Sequence, residues 1–223
     1  MYQFAATILA LGAISAAMPA EDLSKYRDFQ LGMNLSTVAK QAGTDPSQAK
    51  LLHRRPALLQ ELAWRPQPLG ASSHSEPAKE VIFSFYDGEL FRSAVNYDRY
   101  ETEGLTADDF VEAISATYGP ATRPTAPAKV SLRDYGEQQD VVAQWQDSQY
   151  RFDLIRSQYG SVFSLVGVLK RLEGPAQSAT IEATRLDDKE APQREADRLA
   201  SENNAELARL EKARLINKPK FRP

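Results

Sequence analysis

The sequence predicts an α+β protein: two helix-plus-antiparallel-sheet units followed by a charged helical C-terminal tail. Three observations carry this expectation. Residues 34–43 and 104–120 each read as a capped helix closed by glycine. Each is followed by runs rich in β-branched and aromatic residues, several of them alternating with polar ones as half-buried strands do. From 176 to 216 that pattern disappears, and the chain becomes rich in Ala, Glu, Arg and Leu, the composition of a helix.

In the first unit Asn34 is the N-cap, Leu35, Val38 and Ala42 share one helical face, and Gly43 suits the left-handed position after the helix. Asp45-Pro46 predicts a second, short helix through about His53, with the proline at its first position. Leu58 to Trp64 reads as extended, with Leu58, Leu62 and Trp64 on one side, and a Pro/Gly/Ser-rich loop covers 66–78. Val81–Tyr86 and Glu89–Tyr97 flank Asp87-Gly88, a pair that tolerates the positive φ angles of a type I′ hairpin turn.

In the second unit Thr106 and Asp109 can form a capping box, and Phe110, Val111, Ile114 and Tyr118 make the buried stripe of a helix that Gly119-Pro120 ends. A Pro/Thr/Ala loop runs to about Lys129. Strands are expected over Val141–Gln146, Tyr150–Arg156 and Ser161–Lys170, with turns at Asp147-Ser148 and Tyr159-Gly160. Asp153 falls inside the second of these strands, and alternation places it opposite Phe152 and Leu154, toward solvent. After Gly174-Pro175 the helical tail is expected to break at Pro192. Leu199, Leu207 and Leu210 form a thin apolar stripe, and Asn203 within it argues against a long coiled coil.

The first twenty residues carry no charged side chain, and Glu21-Asp22 follow at once. The apolar run from Phe4 to Ala17 is shorter than the roughly 20 residues of a membrane span. It reads as an export signal, although no Lys or Arg precedes it. The predicted division is therefore a signal peptide at 1–20, a body at 21–172 with units at about 25–100 and 101–172, and an extension at 173–223. Cleavage near Ala17 or Ala20 would leave a periplasmic or secreted protein; the alternative is an N-terminal membrane anchor. The absence of cysteine excludes disulfides, thiolate catalysis and a lipidated N-terminal Cys.

Helix followed by antiparallel strands, twice over, resembles the β-lactamase-inhibitor-protein fold and the related BamE-like (SmpA/OmlA) outer-membrane assembly lipoproteins. Gly32 through Val38 to Gly43 is similar to the opening of that fold, and Gly104 to Gly119-Pro120 is similar to a second copy of it. The resemblance covers roughly residues 25–172. It implies a small sheet with a face used for protein binding, and it carries over no inhibitory or assembly residue. Lipid tethering is not implied, because the lipidated Cys of the lipoproteins is missing.

The chemical motifs are sparse. Ser47-Gln48-Ala49-Lys50 matches the S-x-x-K nucleophile motif, yet the S-D-N and K-T-G elements that accompany it are absent. The two histidines, His53 and His74, have no partner at metal-ligand spacing. No Gly-x-Ser-x-Gly elbow, phosphate loop or dinucleotide fingerprint occurs, so neither a cofactor nor a nucleic-acid partner is predicted. Tyr86, Tyr97 and Tyr100 are candidates for an aromatic protein-contact patch. The net charge of −3 is uneven. Arg209, Lys212, Arg214, Lys218, Lys220 and Arg222 face Glu211 alone over 209–223, a local +5 that leaves −8 for the remainder. These six cations are candidates for contact with an anionic surface such as lipid headgroups. The sequence thus predicts an exported, non-catalytic envelope binding or scaffold protein that acts through a sheet surface and the basic C-terminal tail, its partner another envelope protein. The alternative is an envelope hydrolase with a carboxylate-based site that the sequence does not locate.

Overall fold

The computed structural model describes residues 22–66, 77–125, 129–131, 138–157 and 163–222. The expected signal peptide, His74 and the Tyr159-Gly160 turn lie outside the described residues, as does most of the 66–78 loop. A small hairpin of β1 (Lys25–Tyr26) and β2 (Phe29–Gln30) leads into α1 (Leu35–Gln41). Four strands follow, β3 (Lys50–His53), β4 (Leu59–Trp64), β5 (Ala78–Tyr86) and β6 (Glu89–Tyr97). The second unit repeats this order with α2 (Ala107–Tyr118), β7 (Lys129–Ser131), β8 (Gln138–Gln146), β9 (Tyr150–Arg156) and β10 (Phe163–Leu169). The last strand runs without a loop into α3 (Lys170–Asn217). The eight long-unit strands form one antiparallel sheet ordered β3-β4-β5-β6-β10-β9-β8-β7. Each unit contributes half of it, and β6 pairs with β10 at the join, Val95 opposite Leu165. The expected α+β architecture of two helix-and-sheet units with a helical tail is therefore present.

Local chemistry explains the helix ends and the central hairpin. The Asn34 side chain accepts from Thr37 N at 2.9 Å, and Thr106 and Asp109 form the expected capping box. Thr44 N and Gly43 N close α1 onto Ala39 O and Lys40 O, the Schellman pattern. At the β5–β6 turn Asp87 has φ 48° and Gly88 φ 82°, as the type I′ reading requires. That turn also anchors its neighbours. Asp87 exchanges two hydrogen bonds with the backbone of Leu58, and Leu35 N donates to Gly88 O.

One sheet face holds the main core. Leu62, Val81, Phe83, Phe85, Val95, Leu165, Phe152, Leu154 and Trp145 pack there against Val38 and Ala39 of α1 and Phe110, Ile114 and Tyr118 of α2. The Trp145 ring N–H donates to Gly119 O at 2.9 Å, and the Tyr118 hydroxyl donates to Lys25 O, so α2 is pinned to both the sheet and the first hairpin. Gly167 sits beneath the Phe152 ring: a Cβ there would lie 2.5 Å from the ring edge, so this strand position accepts only glycine without a shift.

Several sequence expectations need correction. The helix proposed from Pro46 to His53 is a single 3-10 turn, Pro46–Gln48, after which the chain enters β3, because Lys50 and Leu51 find ladder partners in Glu61 and Gln60. Only Leu62 and Trp64 of the Leu58–Trp64 set pack with the main core, while Leu58 precedes the strand and is exposed. β1, β2 and β7 were not expected at all. The helical tail begins at Lys170 and passes through Pro175 and Pro192 without a break. Each proline removes one backbone bond, at a cost of about 3 kcal/mol. Beside the second, Arg194 donates to both the carboxylate and the backbone carbonyl of Asp187. Asp153 takes the expected face but is 1% exposed, not solvated.

Candidate functional site

The second sheet face carries the helix that the sequence assigned to an appendage. Ala176, Ala179 and Ala183 lie along one side of α3 at spacings of three and four residues, and all three are buried. Ala176 and Ala179 pack with Ala57 and Leu59, flanked by Leu52, Tyr86 and Phe91. Small side chains allow this helix to approach the sheet closely. Thr180 and Thr184 satisfy their hydroxyls by donating to carbonyls one turn back. The extension therefore divides in two: its first turns, to about Glu190, belong to the body.

Polar contacts fix this packed half at both ends. At its start Arg151 of β9 bridges the sheet and the helix, donating to Asp153 at 2.8 Å and to both carboxylate oxygens of Glu173. Gln144 supplies Asp153 with a second donor at 2.7 Å, so both oxygens of that buried carboxylate are engaged. Burial opposes the charge on Arg151, but Glu173 and Asp153 outweigh it and hold the guanidinium above its ordinary pKa. Lys170 reaches Gln146 and the carbonyl of Asp147, and Arg171 pairs with Glu89. At the far end Arg55 meets Glu190 at 2.7 Å, and His53 Nδ1 lies 3.6 Å from Asp187. Hydrogen bonds from Arg55 lower the Glu190 pKa, and those from Arg194 lower that of Asp187. Between β3 and α3, His53, Arg55 and Asp187 line a cleft of about 270 Å³ with Leu51, Arg54 and Leu186.

Beyond Glu190 the helix leaves the sheet. From 191 to 217 every residue is exposed except Ala213, which is half-buried. Twenty-seven helical residues make an arm about 40 Å long at 1.5 Å each. Its apolar side chains are not covered: Leu199, Leu207 and Leu210 are about half exposed, Leu215 is 66% exposed, and Phe221 beyond the helix is 76% exposed. Its charges pair within the helix, Arg198 with Glu195 and Glu202, Arg209 with Glu206, Arg214 with Glu211.

Of the predicted anionic-surface residues, Arg209 and Arg214 are thus taken up in ion pairs. Arg214, Lys218 and Lys220 gather around Phe221 and Asn217 in an open depression of about 430 Å³ at the tip of the arm, and Lys212 and Arg222 are exposed on the same terminal stretch. The three tyrosines are not brought together. Tyr86 packs beneath α3 near the hairpin turn, Tyr97 packs at a tilt against Phe110 at the other end of the hairpin with ring centroids 5.2 Å apart, and only Tyr100 is broadly exposed, at 72%. Ser47 lies in the 3-10 turn and donates its N–H to Asp45, and Lys50 stands exposed on β3. Among the described residues there is no cluster of three metal-ligating side chains, and no helix is long and apolar enough to cross a membrane. Sequence reasoning missed the Arg151–Asp153–Glu173 bridge. Its local signal was Asp153 between two apolar strand residues with Arg151 two positions before it, and nothing local identifies Glu173, 22 residues beyond Arg151. Comparison with family models, curated proteins and solved structures finds no match to this chain.

Proposed function

We propose that this is an exported, non-catalytic binding or scaffold protein of the cell envelope whose partner is another protein. The observation that carries this reading is the arm. A helix that spends its first turns on the sheet and then extends its remaining 27 residues into solvent with uncovered leucines is built to meet something else. α3 already lies over part of the second sheet face, and the arm adds a long exposed surface beyond it. The uncharged N-terminal run followed by Glu21-Asp22 supports export. The hydrolase alternative needs two carboxylates facing a cavity. Asp153, the one buried carboxylate among the described residues, is engaged on both oxygens and unsuited to that work.

A photo-crosslinking residue at Phe221 tests this reading in the native envelope. Discrete protein adducts are expected from position 221 and not from an exposed body position such as Glu103. Mature protein should begin near Met18 or Glu21 by mass spectrometry. Fractionation with the cytosol, or no adduct from the arm, would defeat the reading. A second reading, contact of the arm's tip with an anionic membrane, is favoured by the gathering of Lys218 and Lys220 around exposed Phe221. It predicts salt-sensitive co-sedimentation with anionic vesicles that is lost on removing residues 192–223, which carry eight cations against five acids.

A further inference from the structure

The arm's exposed stripe has an internal symmetry. At 100° per residue, Ala196, Leu199, Ala200, Asn203, Leu207 and Leu210 fall within about 100° of one another on one side of α3. The stripe nearly mirrors itself about Asn203, with Leu199 and Leu207 four residues to either side and Ala196 and Leu210 seven. A helix whose contact positions mirror themselves in this way is suited to an antiparallel copy of itself, since a two-fold interface sets residue i on j and j on i.

We infer that the arm pairs with the arm of a second copy of this chain, antiparallel, with the two Asn203 side chains facing each other on the two-fold axis. This rests on the reading of the arm as a contact element and names its occupant. Leu199 of each copy then meets Leu207 of the other, and Ala196 meets Leu210. The register aligns 191 with 215, so the two arms overlap along nearly their whole length and each tip reaches the other copy's body.

Charge selects the direction. Residues 184–202 hold four cations against six acids, a net −2, and residues 204–222 hold six cations against two acids, a net +4. Antiparallel pairing sets one segment on the other; parallel pairing sets +4 on +4. The paired asparagines specify this register at some cost in affinity, the role a single polar residue plays in a helical seam. A short pair with three leucines per chain gives a reversible dimer, not a long coiled coil.

The test is sedimentation equilibrium on the purified protein, with single cysteines as direction probes, since the chain has none of its own. A concentration-dependent monomer–dimer equilibrium is expected, weakening as salt rises. Leu207→Glu, a change at an exposed site, should weaken the dimer at least tenfold while leaving the circular dichroism melt of the body in place. Oxidising a mixture of Ala196→Cys and Leu210→Cys proteins should give the mixed disulfide, and Ala196→Cys alone should give little. A single monomeric species up to about 1 mM, a dimer indifferent to Leu207→Glu, or efficient disulfide formation by Ala196→Cys alone would each overturn the inference. A monomer that still forms arm-dependent adducts with another envelope protein would overturn only this inference. An arm with neither adducts nor dimer would defeat the functional reading as well.

Discussion

The two halves of α3 make an instructive contrast. The half that is buried is built on alanines: Ala176, Ala179 and Ala183. The half that stands in solvent carries the larger apolar residues, Leu199, Leu207 and Leu210. Side-chain hydrophobicity alone would order them the other way. What decides is what lies beneath. The packed half rests its alanines on Ala57 and Leu59 of the sheet, and it is fixed by Arg151–Glu173 at one end and Arg55–Glu190 at the other. The arm has outrun the sheet, and its leucines have no surface within their own chain.

The largest expected effect is at the start of the packed half. Asp153→Ala removes the acceptor that shares Arg151 with Glu173 and leaves a half-buried guanidinium with one partner fewer. It should cost roughly 3 kcal/mol in chemical denaturation. Unchanged stability would mean that Glu173 alone satisfies Arg151. Next is a direct contrast of the halves. Ala179→Leu overpacks the helix–sheet contact and should cost about 1–3 kcal/mol. Ala205→Leu on the open side of the arm should stay within about 0.5 kcal/mol. Equal effects at the two positions would erase the distinction drawn here.

The smallest effect is at the far anchor, where both partners are exposed and screened. Arg55 lowers the Glu190 pKa below its ordinary 4.5. A depressed carboxylate contributes stability that is complete above its ordinary value and lost as pH falls through the folded one. Wild type should therefore be slightly more stable than Glu190→Gln near neutral pH, and the two should converge in acid. A gap that widened as pH fell would contradict the Arg55–Glu190 contact.

The features legible in the sequence are those whose causes lie within a few residues. The Asn34 cap and the Thr106/Asp109 box depend on side chains that satisfy their own neighbouring backbone, and the Asp87-Gly88 turn on two residues that tolerate positive φ, so residue type and spacing are enough to read them. Helix composition likewise announced α3. Its ends and course were less legible. Pro192 looked like a stop, yet the helix continues through it, with helix-forming residues on both sides. Of the candidate contact residues, the basic C-terminal cluster stands exposed on the arm, whereas the tyrosine patch dissolved once the hairpin length separated Tyr86 from Tyr97.

By itself, then, the sequence determined the two capped helices, the central hairpin, most of the strands and the helical character of the tail, because hydrogen-bond satisfaction and side-chain period act locally. Only the tertiary structure decided that 50–53 is an edge strand, that Asp153 is buried against Arg151, and that α3 lies on the sheet as far as Glu190 and is free beyond it. Each of those outcomes depends on a partner far along the chain: Glu61 for Lys50, Glu173 for Arg151, Ala57 and Leu59 for the alanines of α3. Sequence period shows that a residue seeks burial or a charge a partner; where the chain ends its contact with the sheet is set by the sheet's extent, which no local pattern encodes.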